Sequence, residues 1–118
     1  MAFQASHRFA RISARKVRPL ADMIRGKYAD EALDLLRYQP QRGARLLEKV
    51  IRSALGSAQD PDQNRGKSVA VEGLLVAEAR IENGPMFKRI RTRARGMAFM
   101  IKRRMAHIHI KLANIDET

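Results

Sequence analysis

The feature that most constrains this chain is a long segment without acidic residues near its C-terminus. Residues 86–111 contain nine Lys and Arg and no Asp or Glu. That excess is extreme for an ordinary solvated face, where charges of both signs usually mix. The segment is therefore expected to face a polyanion, which leaves the remaining residues to build a globular body.

The charge of the whole chain follows the same division. The 118 residues carry 24 Lys and Arg against 12 Asp and Glu, a formal charge of +12. Residues 1–27 hold seven basic groups and one Asp, whereas residues 28–67 are nearly neutral. Two basic zones thus flank a neutral middle. Nucleic acid is the first candidate partner, and an anionic membrane surface is the second.

Composition removes several other classes of function. Cysteine is absent, which excludes disulfides, thiolate catalysis and cysteine zinc sites and agrees with a reducing cytoplasm. No apolar run is long enough to span a bilayer, and we expect no signal peptide at the N-terminus. A hydrophobic content of 45% predicts a folded body. Aromatic residues are only 5%, so base stacking is not expected to be the main mode of binding.

Apolar side chains at helical spacing predict three helices in the first half of the chain. Pro19 falls inside the first helix, where its missing amide predicts a kink or an irregular first turn. Residues 60–66 have the composition of a loop. The predicted elements are a strand over residues 3–12, a helix from an N-cap at Ser13 to a stop at Gly26, a helix from Asp30 to Tyr38 and a helix from Gln41 to Gln59.

The second half of the chain has the pattern of strands. A strand is predicted from Ser68, interrupted or bulged at Gly73, and residues 107–112 alternate with period two. Residues 83–85, Asn-Gly-Pro, have turn-like composition. Two strands that bracket a basic segment predict one long β-hairpin, with its tip near residues 93–96, that needs an anionic partner to be stable.

The predicted fold class is α+β. A small body of three helices packs on a short antiparallel sheet, and a long β-hairpin protrudes from it. The length predicts a single domain over residues 1–118. Within it, residues 1–82 and 105–118 are expected to form the body and residues 83–104 the extended basic hairpin.

The candidate binding residues are mainly arginines, which give planar, bidentate contacts to phosphate. On a strand, Arg89, Arg91, Arg93 and Arg95 share one face, an arrangement that suits contact with the backbone of RNA or DNA rather than with base edges. The alternative is a solvated face or a localisation signal. The predicted RNA contacts are Arg8, Arg11, Arg15, Lys16, Arg18, Arg25, Lys27, Lys88, Arg89, Arg91, Arg93, Arg95, Lys102, Arg103, Arg104 and His107.

Signals for an enzyme or a metal site are weak. His107 and His109 share a strand face, but with His7 the only other histidine a full ligand set is hard to assemble. Residues 65–68 resemble the end of a phosphate-binding loop, yet Pro61 stands where that motif needs glycine. No Ser-His-Asp set or carboxylate pair stands out. We predict no enzymatic activity, no cofactor and no metal.

Several motifs, in order along nearly the whole chain, resemble the family of large-subunit ribosomal protein twenty-two, and most closely its bacterial form. The most specific part of the resemblance is the hairpin from Gly84 to His107. The matching segments are Ser13-Ala-Arg-Lys-Val-Arg18, Ala21-Asp-Met-Ile-Arg-Gly26, Glu31-Ala-Leu33, Ser53-Ala-Leu55, Glu82-Asn-Gly-Pro85, Lys88-Arg-Ile90, Arg93-Ala-Arg-Gly96 and Arg103-Arg-Met-Ala-His-Ile108.

The resemblance implies a cytoplasmic protein in the ribosome, with its body on the outer surface of the large subunit. It implies a hairpin threaded through large-subunit ribosomal RNA to the wall of the peptide exit tunnel, and a role in early assembly. The implied partners are that RNA, neighbouring large-subunit ribosomal proteins and the nascent peptide in transit, with no membrane and no DNA. The implied tunnel tip is Arg93, Ala94, Arg95 and Gly96, with Lys88 and Arg89 beside it.

Two other functions stay open at this point. A DNA-architectural protein could insert such an arm into the minor groove, although arms of that kind usually carry an apolar wedge and this tip reads Arg-Ala-Arg-Gly. A membrane-surface domain is less well supported, because the basic segment has strand spacing rather than that of an amphipathic helix. Met97, Phe99 and Met100 stand where the family often has charged residues. The return strand could therefore face the tunnel lumen or another protein.

Overall fold

The predicted α+β fold is confirmed by a computed structural model, which describes residues 2–59, 73–92 and 96–114. The predicted loop at 60–66 and the first part of the predicted strand, 68–72, lie outside these ranges. The elements are β1 (Ala2–Ala10), α1 (Ala14–Ile24), α2 (Ala29–Arg37), α3 (Arg42–Gln59), β2 (Leu74–Thr92) and β3 (Ala98–Asn114).

The three strands form one antiparallel sheet in the order β1-β3-β2. β3 is central, so its backbone groups pair on both sides within the body. β1 pairs with β3 from Ala2↔Ala113 to Ala10↔Ala106. β2 pairs with β3 from Leu74↔Asn114 to Thr92↔Ala98, far beyond the end of β1. The outer part of the sheet therefore has only two strands.

The core lies between one face of this sheet and the three helices. Alternation along β3 buries Ile108, Ile110 and Leu112, each no more than 1% exposed. The helices bury apolar side chains at 3.6-residue spacing against them, among them Val17, Leu20, Ile24, Leu36, Leu47 and Ile51. Burial of this apolar surface is the main force that holds the body together.

α1 lies along the outer edge of β2. The Gly26 N–H donates to the Val76 carbonyl and the Val76 N–H donates to the Lys27 carbonyl, both at 2.9 Å. Gly26 has φ +80°, a conformation that glycine adopts without strain. Closer to the arm along β2, the Arg18 side chain donates a hydrogen bond to the Ile81 carbonyl. α1 thus runs antiparallel to β2, and it is helical without a break on both sides of Pro19.

The turn suggested at residues 83–85 is wrong, because β2 continues through this segment. Between Asn83↔Ala106 and Met86↔Arg104, two residues of β2 oppose the single residue Met105, which defines a β-bulge. A Cβ on Gly84 would lie 3.1 Å from the Met105 carbonyl oxygen, so the close approach of the two strands favours glycine here. β2 begins at Leu74, directly after Gly73, and the part of the predicted strand before Gly73 lies outside the described residues.

We use the name arm for residues 86–104, which follow this bulge and return to it. Its described residues are 86–92 and 96–104, where β2 and β3 pair without a third strand. The molecule measures 63 × 28 × 20 Å, and its radius of gyration is 17.5 Å. A compact chain of this length would have a radius of about 13 to 14 Å. The protein is therefore strongly elongated.

Candidate nucleic-acid interface

The arm presents cations that have no acidic partner in its own sequence. Lys88 and Lys102 pair directly across the two strands, an arrangement that is destabilising for like charges. Both side chains are exposed. All ion pairs found among the described residues lie in the body. A bound polyanion would remove the repulsion between these cations.

Basic side chains lie on both faces of the arm. We use the name open face for the side of the sheet turned away from the helices. Strand alternation places Arg89 and Arg103 on the open face and Lys88, Lys102 and Arg104 on the helix-side face. The shared arginine face predicted from residue 89 onward involves side chains at 91, 93 and 95 that the structure does not describe. Since both faces are cationic, phosphates can approach the arm from either side.

The first turn of α1 adds a second basic surface at the root of the arm. Arg15 and Lys16 are exposed, and the turn contains no acidic residue. Ser13 occupies the predicted N-cap position, but its side chain makes no capping hydrogen bond. The positive end of the helix dipole and these exposed cations favour a bound anion. Because α1 runs antiparallel to β2, the two basic zones of the sequence meet here.

Two of the predicted phosphate contacts have partners inside the protein. Arg25 donates from Nε and Nη2 to the Ala79 carbonyl at 2.9 and 2.6 Å and also pairs with Asp22. Arg18 donates to the Ile81 carbonyl at 3.3 Å. These bonds tie α1 to carbonyls of the edge strand β2. The sequence did not reveal this role, since the partners are 54 and 63 residues away.

His107 is held by a bulge in β1. The Phe9 N–H donates to His107 Nδ1 at 3.0 Å, and the two rings meet edge to face with centroids 4.9 Å apart. Phe9 has φ +60°, which for a bulky residue costs about 1 kcal/mol or more. The Arg8 guanidinium carbon lies 5.3 Å from the centroid of the Phe9 ring. His107 is half-buried in this cluster.

A polar ladder that the sequence analysis missed crosses the open face of the body. The Ser6 hydroxyl lies 2.8 Å from His109 Nδ1, and His109 Nε2 lies 3.3 Å from a Glu82 oxygen. Glu82 also pairs with Arg80 at 3.0 Å. The ladder joins all three strands, and sharing of the carboxylate with Arg80 marks it as a sheet-stabilising cluster. Three-residue clusters of potential metal ligands are absent from the described ranges.

The remaining predicted residues lie on the surface or beyond the described ranges. Arg8, Arg11 and Lys27 are exposed. Of the predicted tip, residues 93–95 lie outside the described structure, and Gly96 is exposed with φ +70°. No helix in the described residues is long and apolar enough to cross a membrane.

A compact α+β body with a two-stranded cationic arm is the architecture expected of a protein that binds polyanions. Comparisons with known proteins identify its family. The family model described as ribosomal protein L22p/L17e matches residues 5–113. This chain belongs to that family of structural, non-enzymatic ribosomal proteins, which confirms the resemblance noted in the sequence and the prediction that the chain is not an enzyme.

Individual relatives agree over nearly the full length of the chain. A protein of Rhodopirellula baltica is 63% identical over 114 residues, covering 97% of this chain and 96% of the relative. One of Caldicellulosiruptor saccharolyticus is 44% identical, covering 92% and 84%. One of Akkermansia muciniphila is 39% identical, covering 97% of each. All three are named large ribosomal subunit protein uL22.

Proposed function

We propose that this chain is a structural constituent of the large ribosomal subunit in the cytoplasm and that it binds large-subunit ribosomal RNA. The observation that carries the proposal is the arm, where Lys88 opposes Lys102 and the sequence of residues 86–104 contains eight basic residues and no acidic one. Since the chain belongs to a family of ribosomal proteins, ribosomal RNA is the polyanion expected to neutralise this charge.

The proposed RNA surface has two parts that meet at the root of the arm. The first is the N-terminal zone, in which Arg15 and Lys16 flank the uncapped start of α1. The second is the arm itself. We keep Arg18 and Arg25 as residues that position α1 against β2, with RNA contact as a secondary role. The proposed direct contacts are Arg8, Arg11, Arg15, Lys16, Lys27, Lys88, Arg89, Arg91, Arg93, Arg95, Lys102, Arg103 and Arg104.

The shape of the arm supports a place inside the subunit rather than on its surface. The seven residues of β2 from 86 to 92 extend about 23 Å at ~3.3 Å per residue. Two strands form a ribbon narrow enough to pass between RNA helices, and cations on both faces can meet phosphates on both sides. We propose that its tip, with Arg93, Ala94, Arg95 and Gly96, lines the peptide exit tunnel and meets the nascent peptide in transit.

The same geometry suggests separate roles for the folded body and the hairpin. We propose that residues 1–82 and 105–118 form one folded body, which contacts neighbouring large-subunit proteins from the subunit surface. Residues 83–104 then act as its extension into the RNA. The bulge at Gly84 and Pro85 lies at the boundary between the two parts.

Binding to purified large-subunit ribosomal RNA over a range of salt concentrations tests the proposal. The double variant Lys88→Gln/Lys102→Gln is expected to bind on the order of tenfold more weakly at 0.15 M salt, with a salt slope lowered by about two. The matched control is Arg37→Gln/Lys49→Gln, which removes the same charge from exposed positions on α2 and α3.

Equal loss in the test and control variants would show that only net charge matters and would overturn the role of the arm. Tighter binding to duplex DNA than to ribosomal RNA in competition would overturn the ribosomal proposal itself. Cross-linking in cell lysate adds a second measurement, and cross-links from residues 86–104 are expected to cluster in large-subunit ribosomal RNA.

A further inference from the structure

Two of the four phenylalanines lie exposed beside an arginine on the open face. The Phe9 ring is 51% exposed with the Arg8 guanidinium carbon 5.3 Å from its centroid. The Phe87 ring is 45% exposed with the Arg89 guanidinium carbon at 5.5 Å. Each phenylalanine therefore leaves about half of its surface open to a partner, beside a guanidinium group. Such a pairing of aromatic and guanidinium groups is a platform on which nucleobases stack.

The two pairs lie on one surface because of the register of β3. His107 and Arg103 point to the same side of this strand, since an even number of residues separates them. Phe9 contacts His107, and Phe87 pairs directly with Arg103. His107 and Arg103 are four residues apart, which corresponds to about 13 Å along β3. The pairs therefore lie in a line that runs from the body onto the arm.

The backbone at Phe9 shows that the position of this ring is imposed by the fold. A bulge between His7 and Ala10 holds Phe9 at φ +60°, and a hydrogen bond to His107 fixes its amide. Bulges commonly redirect a side chain, and strained backbone is concentrated at functional sites. Glycine or asparagine would adopt this positive φ with less strain, but neither has an aromatic ring.

We propose that Phe9 and Phe87 are stacking platforms for unpaired nucleobases of the bound RNA, with Arg8 and Arg89 contacting the adjacent phosphates. This proposal rests on the RNA binding proposed above, and it adds base stacking to the phosphate contacts. Phosphate contacts alone carry affinity along the backbone, whereas stacking selects RNA with unpaired bases. The open face would then distinguish a loop or bulge from a regular duplex.

Affinity for purified large-subunit ribosomal RNA tests the platforms with two variants. Phe87→Leu keeps an apolar strand residue, and Phe9→Asn suits the positive φ. Each is expected to lower affinity about tenfold and to leave the salt slope unchanged, because stacking releases no counterions. Phe9→Tyr and Phe87→Tyr are expected to bind like the unmodified protein. Tyr38→Leu is the control, since that ring is 84% exposed at the end of α2.

The outcomes separate this proposal from the one on which it rests. If the unmodified protein does not bind the RNA, the proposed function fails. If it binds and the Lys88/Lys102 variant weakens binding while both Phe variants bind normally, the proposed function stands and the platforms are wrong. If Phe9→Asn lowers the midpoint of thermal unfolding, its loss of affinity could result from unfolding. Ultraviolet cross-linking of the unmodified protein to the RNA then tests the platforms. Cross-links at Phe9 and Phe87 support the platforms, and cross-links confined to other residues overturn them.

Discussion

The body and the arm share strands β2 and β3, but these strands are stabilised in opposite ways in the two regions. In the body, β2 and β3 carry apolar residues on one face, and three helices cover that face. In the arm the same strands continue with Ile90 and Met100 paired but 76% and 60% exposed. Hydrogen bonds between strands are present in both regions. What the arm lacks is a covering layer, so its stability depends on a partner.

The difference shows how one sheet can serve as both scaffold and ligand-binding element. The change takes place at the bulge opposite Met105, where the apolar alternation of β3 ends and the basic residues begin. Inside the body the sheet is held by burial, and beyond it the charges oppose one another until an anion binds. Order in the arm and binding of RNA are therefore expected to be coupled.

The largest expected effect is on the free energy of unfolding, and it is tested by truncating one isoleucine in the body and one in the arm. Ile108 is fully buried and Ile90 is 76% exposed, and both lie in the paired strands β2 and β3. Ile108→Ala is expected to lower the free energy of unfolding by about 2 to 5 kcal/mol. Ile90→Ala is expected to change it by less than about 0.5 kcal/mol. Urea unfolding measures both, and similar losses would contradict an arm without its own core.

Removal of charge from the arm is expected to weaken RNA binding without lowering stability. The Lys88→Gln/Lys102→Gln variant is expected to weaken RNA binding on the order of tenfold and to leave the unfolding free energy unchanged or slightly higher at low salt. The gain arises because two opposed like charges are removed. Urea unfolding at two salt concentrations provides the measurement. A marked loss of stability would mean that these lysines hold the body.

Arg15 in α1 and Arg25 at its C-terminal cap allow structural and RNA-binding roles to be compared. Arg25→Gln removes the bonds to the Ala79 carbonyl and is expected to cost about 1 kcal/mol of unfolding free energy. Arg15→Gln is expected to leave stability unchanged and to lower the salt slope of RNA binding by about one. If both variants lost the same affinity with no loss of stability, the structural role of Arg25 would be rejected.

The smallest effects come from two glycines. Gly84→Ala would bring a methyl group within 3.1 Å of a backbone carbonyl and is expected to cost about 1 kcal/mol. Gly56 lies in α3 with open space around it, and Gly56→Ala is expected to stabilise the body by about 0.5 to 1 kcal/mol. Thermal unfolding of the two variants should therefore move in opposite directions. A stabilised Gly84→Ala variant would contradict a tight bulge at the root of the arm.

Much of the fold was predictable because its signals are local. Helical spacing predicted α1, α2 and α3 to within one or two residues, and alternation at 107–112 predicted the inner part of β3. The Asn-Gly-Pro segment misled the prediction, since its composition favours a turn. The register of β2 against β3 overrode that preference and absorbed the segment as a bulge.

The sequence by itself determined that a neutral body carries two basic zones and that one of these is an extended hairpin. Those properties follow from residue types and short-range spacing. Only the tertiary structure decided which cations already have a partner within the protein. Arg25 is exposed, yet it donates hydrogen bonds to a carbonyl 54 residues away. The tertiary structure alone aligned Phe9 with Phe87 on one face. Contacts between distant residues depend on strand register and helix placement, and neither can be read from composition or local periodicity.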